Sequence, residues 1–280
     1  MEAEELFGTG DDVDATITFM TGRGERVSAD TVAFGAGDRV LLMIPGLSDG
    51  LATVRGKLPF LRHAYRTLAG DYRVVVASRI DELRDGATIA SMADDYLSLA
   101  RSAGRGPVDV WGVSMGGMIA QAMALADPSA IGRLCLDVSA ACATPRLRAV
   151  VDEWLSYAAR GDSAGLLRDT MEKTYRDRDL KAYRLLMPLL VRLTKVSSFD
   201  RFVIQARACR VHDLAGRLDG VRAPCLVSGG DSDKILGPGA VEALHEAIPG
   251  SILRIYPGYG HNAYEAKGHT AFVRNFLLGR

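Results

Sequence analysis

Short runs of apolar residues recur along the chain and predict β-strands. Eight runs have the length and the β-rich composition of a strand. Two of them, Leu41–Ile44 and Val74–Val76, are apolar at every position, which is typical of a parallel sheet covered on both faces. The predicted strands are Ala15–Met20, Val27–Phe34, Val40–Ile44, Tyr72–Ala77, Val108–Val113, Ile131–Val138, Cys225–Ser228 and Ile252–Tyr256.

From the third strand onward, segments with helical spacing of their apolar residues alternate with the strands. This alternation predicts an α/β fold with a mostly parallel, eight-stranded sheet flanked by helices. The two leading strands fit an antiparallel edge of that sheet. The predicted helices are Lys57–Leu68, Ile89–Ala103, Met118–Ala126, Ala240–Ala247 and Ala263–Leu278.

The alternation stops between residues 143 and 212, where apolar positions recur only at helical spacing. We therefore divide the chain into an α/β core, residues 1–142 and 213–280, and an all-helical insertion, residues 143–212. The insertion holds 14 Lys and Arg against 8 Asp and Glu, a pattern typical of a solvated helical surface. Its predicted helices contain Val150, Trp154 and Tyr157, then Leu166, Leu167, Met171 and Tyr175, then Leu185–Leu193 with Pro188 as an interruption.

The composition excludes several classes of protein. Apolar residues make up 48% and charged residues 24%, as in ordinary globular chains. The 34 basic and 34 acidic side chains cancel, so no global field attracts nucleic acid. The acidic N-terminus does not resemble a secretory signal, and no apolar stretch reaches the roughly 18 residues of a membrane span. We expect a cytoplasmic protein without membrane insertion, whose cysteines are buried thiols outside any C-x-x-C pair: Cys135, Cys142, Cys209 and Cys225.

The segment Gly112–Gly116 reads G-x-S-x-G, directly after a predicted strand and directly before a predicted helix. In this context the pattern is typical of a sharp turn that exposes a nucleophilic serine, here Ser114. A Cβ atom at either glycine would collide with the crossing backbone. The N-terminus of the following helix would also stabilise an anion formed at the turn. A phosphate-binding loop is excluded because no lysine follows these glycines.

A serine nucleophile needs a histidine base and a carboxylate that orients the base. Of the five histidines, His261 lies in a Gly-rich loop after the last predicted strand, at the edge where α/β sheets place their ligand sites. We predict that His261 is the base. Surface or packing roles are expected for the other four, which are His63, His212, His245 and His269.

The carboxylate is expected in the loop after the strand Cys225–Ser228, where Asp231 and Asp233 compete. At this point the chain resembles the α/β-hydrolase superfamily, in the order nucleophile, acid, histidine, over about residues 13–280. That superfamily commonly places its acid three residues after a glycine and before a pair of apolar residues. Asp233 fits this register, so the resemblance implies that Asp233 is the acid and that Asp231 forms a turn.

The resemblance also implies an oxyanion hole made of two backbone N–H groups, those of Leu47 and Met115. Pro45 stands where relatives commonly have histidine. The loop Ser78–Gly86 departs from the superfamily pattern and cannot be mapped residue by residue. Residues 143–212 lie where the superfamily carries its cap, so they are expected to roof the pocket.

We therefore expect a serine hydrolase that cleaves an ester-like bond of a small molecule, with water as the second substrate and with no metal or organic cofactor. Similar motifs also serve lactonases, carbon–carbon bond hydrolases, thioesterases and cofactor-free haloperoxidases, and the sequence does not separate these activities. The alternative from another class is a binding protein on the same fold that retains its ligand without turnover.

Overall fold

The computed structural model describes residues 1–8, 10–104, 106–176, 179–180, 196 and 198–280. Within them, eight strands form one sheet in the order β1-β2-β4-β3-β5-β6-β7-β8. β1 pairs antiparallel with β2 and β2 with β4, and every other neighbouring pair is parallel. The α/β prediction and its antiparallel edge are thereby confirmed. The strands are β1 Val13–Met20, β2 Arg26–Phe34, β3 Arg39–Ile44, β4 Tyr72–Ala77, β5 Val108–Val113, β6 Ile131–Asp137, β7 Cys225–Gly230 and β8 Ile252–Tyr256.

Helices cover both faces of the sheet, because successive side chains of each strand point to opposite faces. On β5, Val110 belongs to the larger apolar cluster and Trp111 to the cluster on the opposite face. None of the described helices has the length and apolar content needed to cross a bilayer. The described helices are α1 Ala3–Gly8, α2 Leu58–Ala64, α3 Ile89–Ser102, α4 Met115–Ala126, α5 Pro145–Ala159, α6 Ser163–Thr174, α7 Asp200–Arg210, α8 Ala240–Ala247 and α9 His269–Leu277.

One helix was not predicted, and two helix predictions were wrong in their bounds. The periodicity missed α1, a short helix that buries Leu6 and whose Leu6 carbonyl accepts a hydrogen bond from Arg73 of β4 (3.0 Å). The helix predicted over Lys57–Leu68 is only the seven residues of α2. The last predicted helix is divided into a 3-10 turn and α9, because Gly268 adopts a φ of 83°, which cannot continue a right-handed helix.

The helical insertion leaves and rejoins the core at one point. Cys142 and Asp213 form an antiparallel bridge, and the Ala143 N–H donates to the His212 carbonyl at 2.7 Å. Three described helices, α5, α6 and α7, lie between these ends, and α5 matches the first predicted helix. The third predicted helix, Leu185–Leu193, lies outside the described residues. That residues 143–212 form a separate domain stays a prediction.

His212 at this junction is almost fully buried, and its Nε2 contacts the Ala140 carbonyl at 3.2 Å. Burial lowers the pKa of His212 from its ordinary 6.5 to about 4, and the Ala140 contact offsets this effect only in part. Between these two pH values, His212 is therefore protonated in the unfolded chain and neutral in the folded protein. We expect the free energy of unfolding to fall by about 3 kcal/mol as the pH is lowered through this window.

Urea unfolding at several pH values checks this expectation. In His212→Gln the amide can still donate to the Ala140 carbonyl but cannot take up a proton, so the loss of stability between pH 6.5 and 4 should be smaller than in the parent. The same change at His63, which is exposed on α2, controls for the removal of an imidazole elsewhere. An unchanged pH dependence in His212→Gln would contradict the assignment.

Candidate active site

Ser114 lies in the sharp turn between β5 and α4, with a φ of 56° that a residue with a side chain rarely adopts. The turn is possible because its glycines leave room for the backbone. A Cβ atom on Gly112 would lie 2.4 Å from the Gly116 carbonyl oxygen, and one on Gly116 would lie 2.0 Å from the Ile44 carbonyl oxygen. The strand and the helix around the motif are therefore as expected, except that α4 begins at Met115, three residues before the predicted start at Met118.

His261 and Asp233 lie beside this serine, although the three residues are far apart in the sequence. The Nε2 atom of His261 is 2.9 Å from Ser114 Oγ, and its Nδ1 atom is 2.7 Å from Asp233 Oδ2. The two loops that carry them meet closely, because a Cβ atom on Gly230 would lie only 2.0 Å from the Tyr259 carbonyl oxygen. The structure thus brings the predicted nucleophile, base and acid into one chain of hydrogen-bonding distances.

Both carboxylate oxygens of Asp233 have hydrogen-bond partners. Its Oδ1 accepts hydrogen bonds from the backbone N–H groups of Ile235 (2.8 Å) and Leu236 (2.9 Å), while Oδ2 faces His261. Burial raises the pKa of the Asp233 carboxyl, but the attraction of His261 and these hydrogen bonds outweigh it and hold the pKa below its ordinary value. The group is therefore suited to stay ionised beside the imidazole.

Asp231, the competing aspartate, is exposed and points elsewhere. Its Oδ1 accepts from the Gly258 N–H at 2.7 Å and from the Ser232 hydroxyl at 2.9 Å. These contacts tie the loop after β7 to the loop that carries His261. The structure thus gives Asp231 a loop-holding position and places Asp233, rather than Asp231, at the imidazole.

The two backbone N–H groups predicted for the oxyanion hole both belong to helix starts. Met115 is the first residue of α4, and Leu47 is the first residue of a short 3-10 helix, Leu47–Gly50. N–H groups in the first turn of a helix have no acceptor within the helix, so they are available to an anion. The Pro45 carbonyl lies against Gly116, where a Cβ atom would come within 2.7 Å of it. The loop that carries Leu47 thus runs directly beside the serine turn.

Arg79, in the unmapped loop Ser78–Gly86, is a residue of the site for which the sequence predicted no role. This side chain is only 1% exposed, and its guanidinium donates to the carbonyl oxygens of Pro45 (2.6 Å) and Gly46 (3.2 Å). A single arginine after β4 carries no recognisable motif. Arg79 is distinguished only by the backbone carbonyls that the fold places beside its guanidinium.

A cavity of about 320 Å³ opens above Ser114 and His261. No Asp, Glu, Lys or Arg side chain from the described part of the chain lines it. Trp154, from the first predicted insertion helix, lines the cavity, while the predicted helix Leu185–Leu193 lies outside the described residues. The other lining residues from the insertion helices are Leu167, Thr170, Met171, Thr174 and Phe202.

A buried polar network around Asp137 is joined to the serine turn by a backbone hydrogen bond. The Asp137 carbonyl, at the end of β6, accepts from the Ser114 N–H at 2.8 Å. The fully buried Asp137 carboxylate accepts from Trp111 Nε1 (2.7 Å), His269 Nε2 (2.7 Å) and Ser228 Oγ (2.5 Å). His269 therefore has the packing role expected from sequence, with one ring nitrogen bound to this carboxylate.

Removing the Asp137 carboxylate leaves three buried donors without an acceptor. We expect Asp137→Ala to lower the free energy of unfolding by about 3–5 kcal/mol, the usual cost of breaking a buried polar pair by deleting one partner. Asp127→Ala is the matched control, because Asp127 binds Arg101 (2.8 Å) and Ser129 (2.6 Å) at the surface. The control should lose less than about 1 kcal/mol. Equal losses in the two variants, measured by urea unfolding, would refute the importance of the buried network.

No group of three or more His, Cys, Asp or Glu side chains within the described ranges is arranged to hold a metal ion. The four cysteines are free thiols, three of them buried and Cys142 half-buried.

A family model for the alpha/beta hydrolase fold matches residues 39–267, which include the serine turn, both acid candidates and His261. The chain belongs to the α/β-hydrolase family. This membership agrees with the mostly parallel eight-stranded sheet and with the position of Ser114 between a strand and a helix.

Among curated proteins, this α/β hydrolase is similar to a pimeloyl-[acyl-carrier protein] methyl ester esterase of Neisseria meningitidis, with 29% identity over 188 residues, covering 62% of this chain and 70% of the relative. It is also similar to a putative carbamate hydrolase RutD of Caulobacter sp., with 25% identity over 249 residues, covering 87% of this chain and 92% of the relative. Both names describe hydrolysis at a carbonyl carbon.

Among solved structures, the α/β hydrolase MGS-M2 from a deep-sea metagenome library of the Medee basin superposes with a TM-score of 0.78. The two chains share 18% of their residues, and the match covers 90% of this chain and 95% of that one. At this identity the similarity shows the shared fold alone.

Proposed function

We propose that this α/β hydrolase is a serine esterase that cleaves an ester-like bond of a small molecule through an acyl-enzyme. The observation that carries the proposal is the chain of distances from Asp233 through His261 to Ser114, at the floor of an open cavity. The names of the two curated relatives, a methyl ester esterase and a putative carbamate hydrolase, support attack at a carbonyl carbon.

The mechanism follows from the donors and acceptors present. With its Nδ1–H donating to Asp233, the imidazole of His261 has Nε2 free to accept the Ser114 hydroxyl proton. Ser114 Oγ then attacks the substrate carbonyl, and the oxyanion is stabilised by the N–H groups of Leu47 and Met115. The proton on His261 passes to the leaving alcohol. A water molecule, deprotonated by the same nitrogen, hydrolyses the acyl-enzyme.

The cavity favours an uncharged acyl group of modest size. Charged groups would lose hydration there without gaining a partner, because the described lining holds no Asp, Glu, Lys or Arg. Trp154, Leu167 and Phe202 come from the insertion helices, so we propose that residues 143–212 act as a cap that contributes to substrate choice.

The test is labelling with a fluorophosphonate, followed by turnover of p-nitrophenyl esters of graded chain length and of a set of lactones. We expect covalent label on Ser114 and hydrolysis of uncharged esters. Preferred turnover of lactones would assign the lactonase alternative to the same residues. Retention of a ligand with neither label nor turnover would refute the proposal and favour a binding protein.

Two neighbouring leucines on α6 separate a role in the cavity from a role in packing. Leu167 lines the cavity, whereas Leu166 is 1% exposed and belongs to the core. We expect Leu167→Ala to shift the preferred acyl chain to greater length while acetyl ester turnover is retained, because a short acyl group does not reach that wall. Leu166→Ala should instead cost about 2–5 kcal/mol of stability and leave the chain-length profile unchanged. Identical profiles in both variants, measured on the ester series, would show that α6 does not select the acyl chain.

A further inference from the structure

Two buried charged side chains and a partly buried arginine form a cluster beside the loop that carries Leu47. The Arg79 cluster consists of Arg79, Asp49 and Arg201. Arg79 and Asp49 are 1% and 2% exposed, and the Oδ2 atom of Asp49 lies 3.6 Å from Arg79 Nη1 and 3.0 Å from Arg201 Nη2. Removing charges from water costs free energy, so this arrangement is expected to contribute to function as well as to stability.

Arg79 contacts one of the two peptide groups whose direction matters for the oxyanion, the one between Gly46 and Leu47. Its Nη1 donates to the Gly46 carbonyl, and the N–H of the same peptide unit is that of Leu47. This peptide is trans and planar, so its carbonyl and its N–H point in opposite directions. By holding the carbonyl, Arg79 makes the Leu47 N–H point away from the guanidinium. Gly46 and Leu47 both line the cavity that contains Ser114.

Gly46 benefits from a restraint by Arg79, in addition to the Asp49 N–H, which donates to its carbonyl at 3.2 Å within the 3-10 helix. A glycine has no Cβ atom to limit its backbone angles, so the peptide plane that follows it can rotate more easily than after other residues. The carbonyl of Pro45, one peptide earlier, is held by the Nη2 atom of the same guanidinium at 2.6 Å. Two consecutive peptide groups are therefore held by one rigid, planar guanidinium group.

Arg201 links this cluster to the helical insertion. It lies on α7 and donates to the carbonyl oxygens of Ile80 (2.6 Å) and Arg79 (2.6 Å), in addition to its contact with Asp49. The next residue, Phe202, packs so closely on the 3-10 helix that a Cβ atom on Gly50 would lie 2.7 Å from its Cα. Helix α7 of the insertion therefore packs directly against the loop that carries Leu47.

The charges of the cluster also favour a negative charge nearby. Two arginines face one aspartate, which leaves a net charge of +1. Burial raises the pKa of Asp49, but the charges of Arg79 and Arg201 outweigh it and hold this pKa below its ordinary value, so the aspartate stays ionised. A cationic donor on the Gly46 carbonyl also polarises the peptide and strengthens its N–H as a donor.

We propose that Arg79 is a positioning residue for the oxyanion hole: held by Asp49 and Arg201, it fixes the direction of the Leu47 N–H through the Gly46 carbonyl. This inference rests on the proposed serine esterase function, since it assigns a task within that reaction. A purely structural role for the cluster would affect stability without affecting the oxyanion.

The test compares Arg79→Lys, Arg79→Met and Arg201→Lys with a matched control, Arg73→Lys. Arg73 lies near the start of β4 and is 2% exposed. Like Arg79, it donates to backbone carbonyl oxygens, those of Leu6 and Asp11. Two inhibitors are used. An alkyl trifluoromethyl ketone adds to Ser114 and forms an oxyanion, whereas the corresponding secondary alcohol fills the same cavity and forms none.

The readout is the ratio of the two inhibition constants in each variant, together with kcat, KM and the melting temperature. In Arg79→Lys and Arg79→Met we expect the preference for the ketone to fall at least about tenfold, with a parallel loss in kcat and little change in KM. Arg201→Lys should give a smaller loss of the same kind. Arg73→Lys should lower the melting temperature and leave the ratio unchanged.

An unchanged ratio in Arg79→Lys would overturn the inference, as would an equal fall in Arg73→Lys. If Arg79→Met does not fold, Arg79→Lys, which keeps the charge, still decides the question. Failure of the proposed function looks different: the unmodified protein would then hydrolyse no ester and form no adduct with the ketone, and the inference would fall with it.

Discussion

Ser114→Ala is expected to lower kcat by about five to six orders of magnitude, the loss observed when a nucleophile that works together with a base is removed. The His261 imidazole would then have no hydroxyl to deprotonate, and only binding and the oxyanion hole would assist attack by water. The effect should be confined to catalysis, since Ser114 lies between two well-packed elements that the methyl group does not disturb.

The melting temperature of Ser114→Ala serves as the control for this prediction. It should be close to that of the parent, because alanine keeps the Cβ atom and the φ of 56°. Ser114→Gly should melt higher than either, since glycine adopts a positive φ without strain. Ester turnover retained in Ser114→Ala, or fluorophosphonate attached to another serine, would refute the assignment of the nucleophile.

Asp233→Asn is expected to lower kcat by about four orders of magnitude. The backbone N–H groups of Ile235 and Leu236 require an acceptor, so the amide oxygen of the new side chain would face them and its NH2 group would face His261. The imidazole would then have to accept at Nδ1 and carry its proton on Nε2. In that tautomer His261 cannot take the proton of Ser114.

Asp231→Asn is the matched control for this experiment. Its side-chain oxygen can still accept from the Gly258 N–H, so we expect nearly unchanged kcat. Kinetics of both variants on the same p-nitrophenyl ester decide between the two aspartates. The opposite outcome, with Asp231→Asn inactive and Asp233→Asn active, would identify Asp231 as the acid.

The strand framework could be predicted from sequence because buried parallel strands are apolar at nearly every position. β4, β5 and β8 begin and end at the predicted residues, and the antiparallel placement of β1 and β2 is as expected. Helix ends were less predictable. α2 ends early and the final helix is interrupted at Gly268, because helix termini depend on local backbone angles that periodicity does not report.

The candidate residues were also predictable, for a related reason. The glycines of Gly112–Gly116 are required by the turn itself, since a Cβ atom at either end would collide with backbone atoms. The loops with Asp233 and His261 each follow a strand of a parallel sheet, and the carboxyl ends of such strands meet at one edge. The order of motifs along the chain was therefore enough to place Ser114, His261 and the loop that carries Asp231 and Asp233 together, while the choice of Asp233 came from the resemblance to the superfamily.

The sequence by itself determined the sheet, the serine turn and the residues expected at its edge, because each of these features leaves a local pattern of apolar residues or glycines. The choice between the aspartates rested on the family register alone until the tertiary structure placed Asp233 at His261, and only the tertiary structure shows which arginine holds the Leu47 peptide. Asp231 is exposed and binds the Gly258 N–H, whereas the buried Asp233 faces His261. Arg79 meets Gly46 and Asp49 only after separate loops are folded together. Such contacts depend on distance in space rather than on spacing along the chain, so periodicity cannot reveal them.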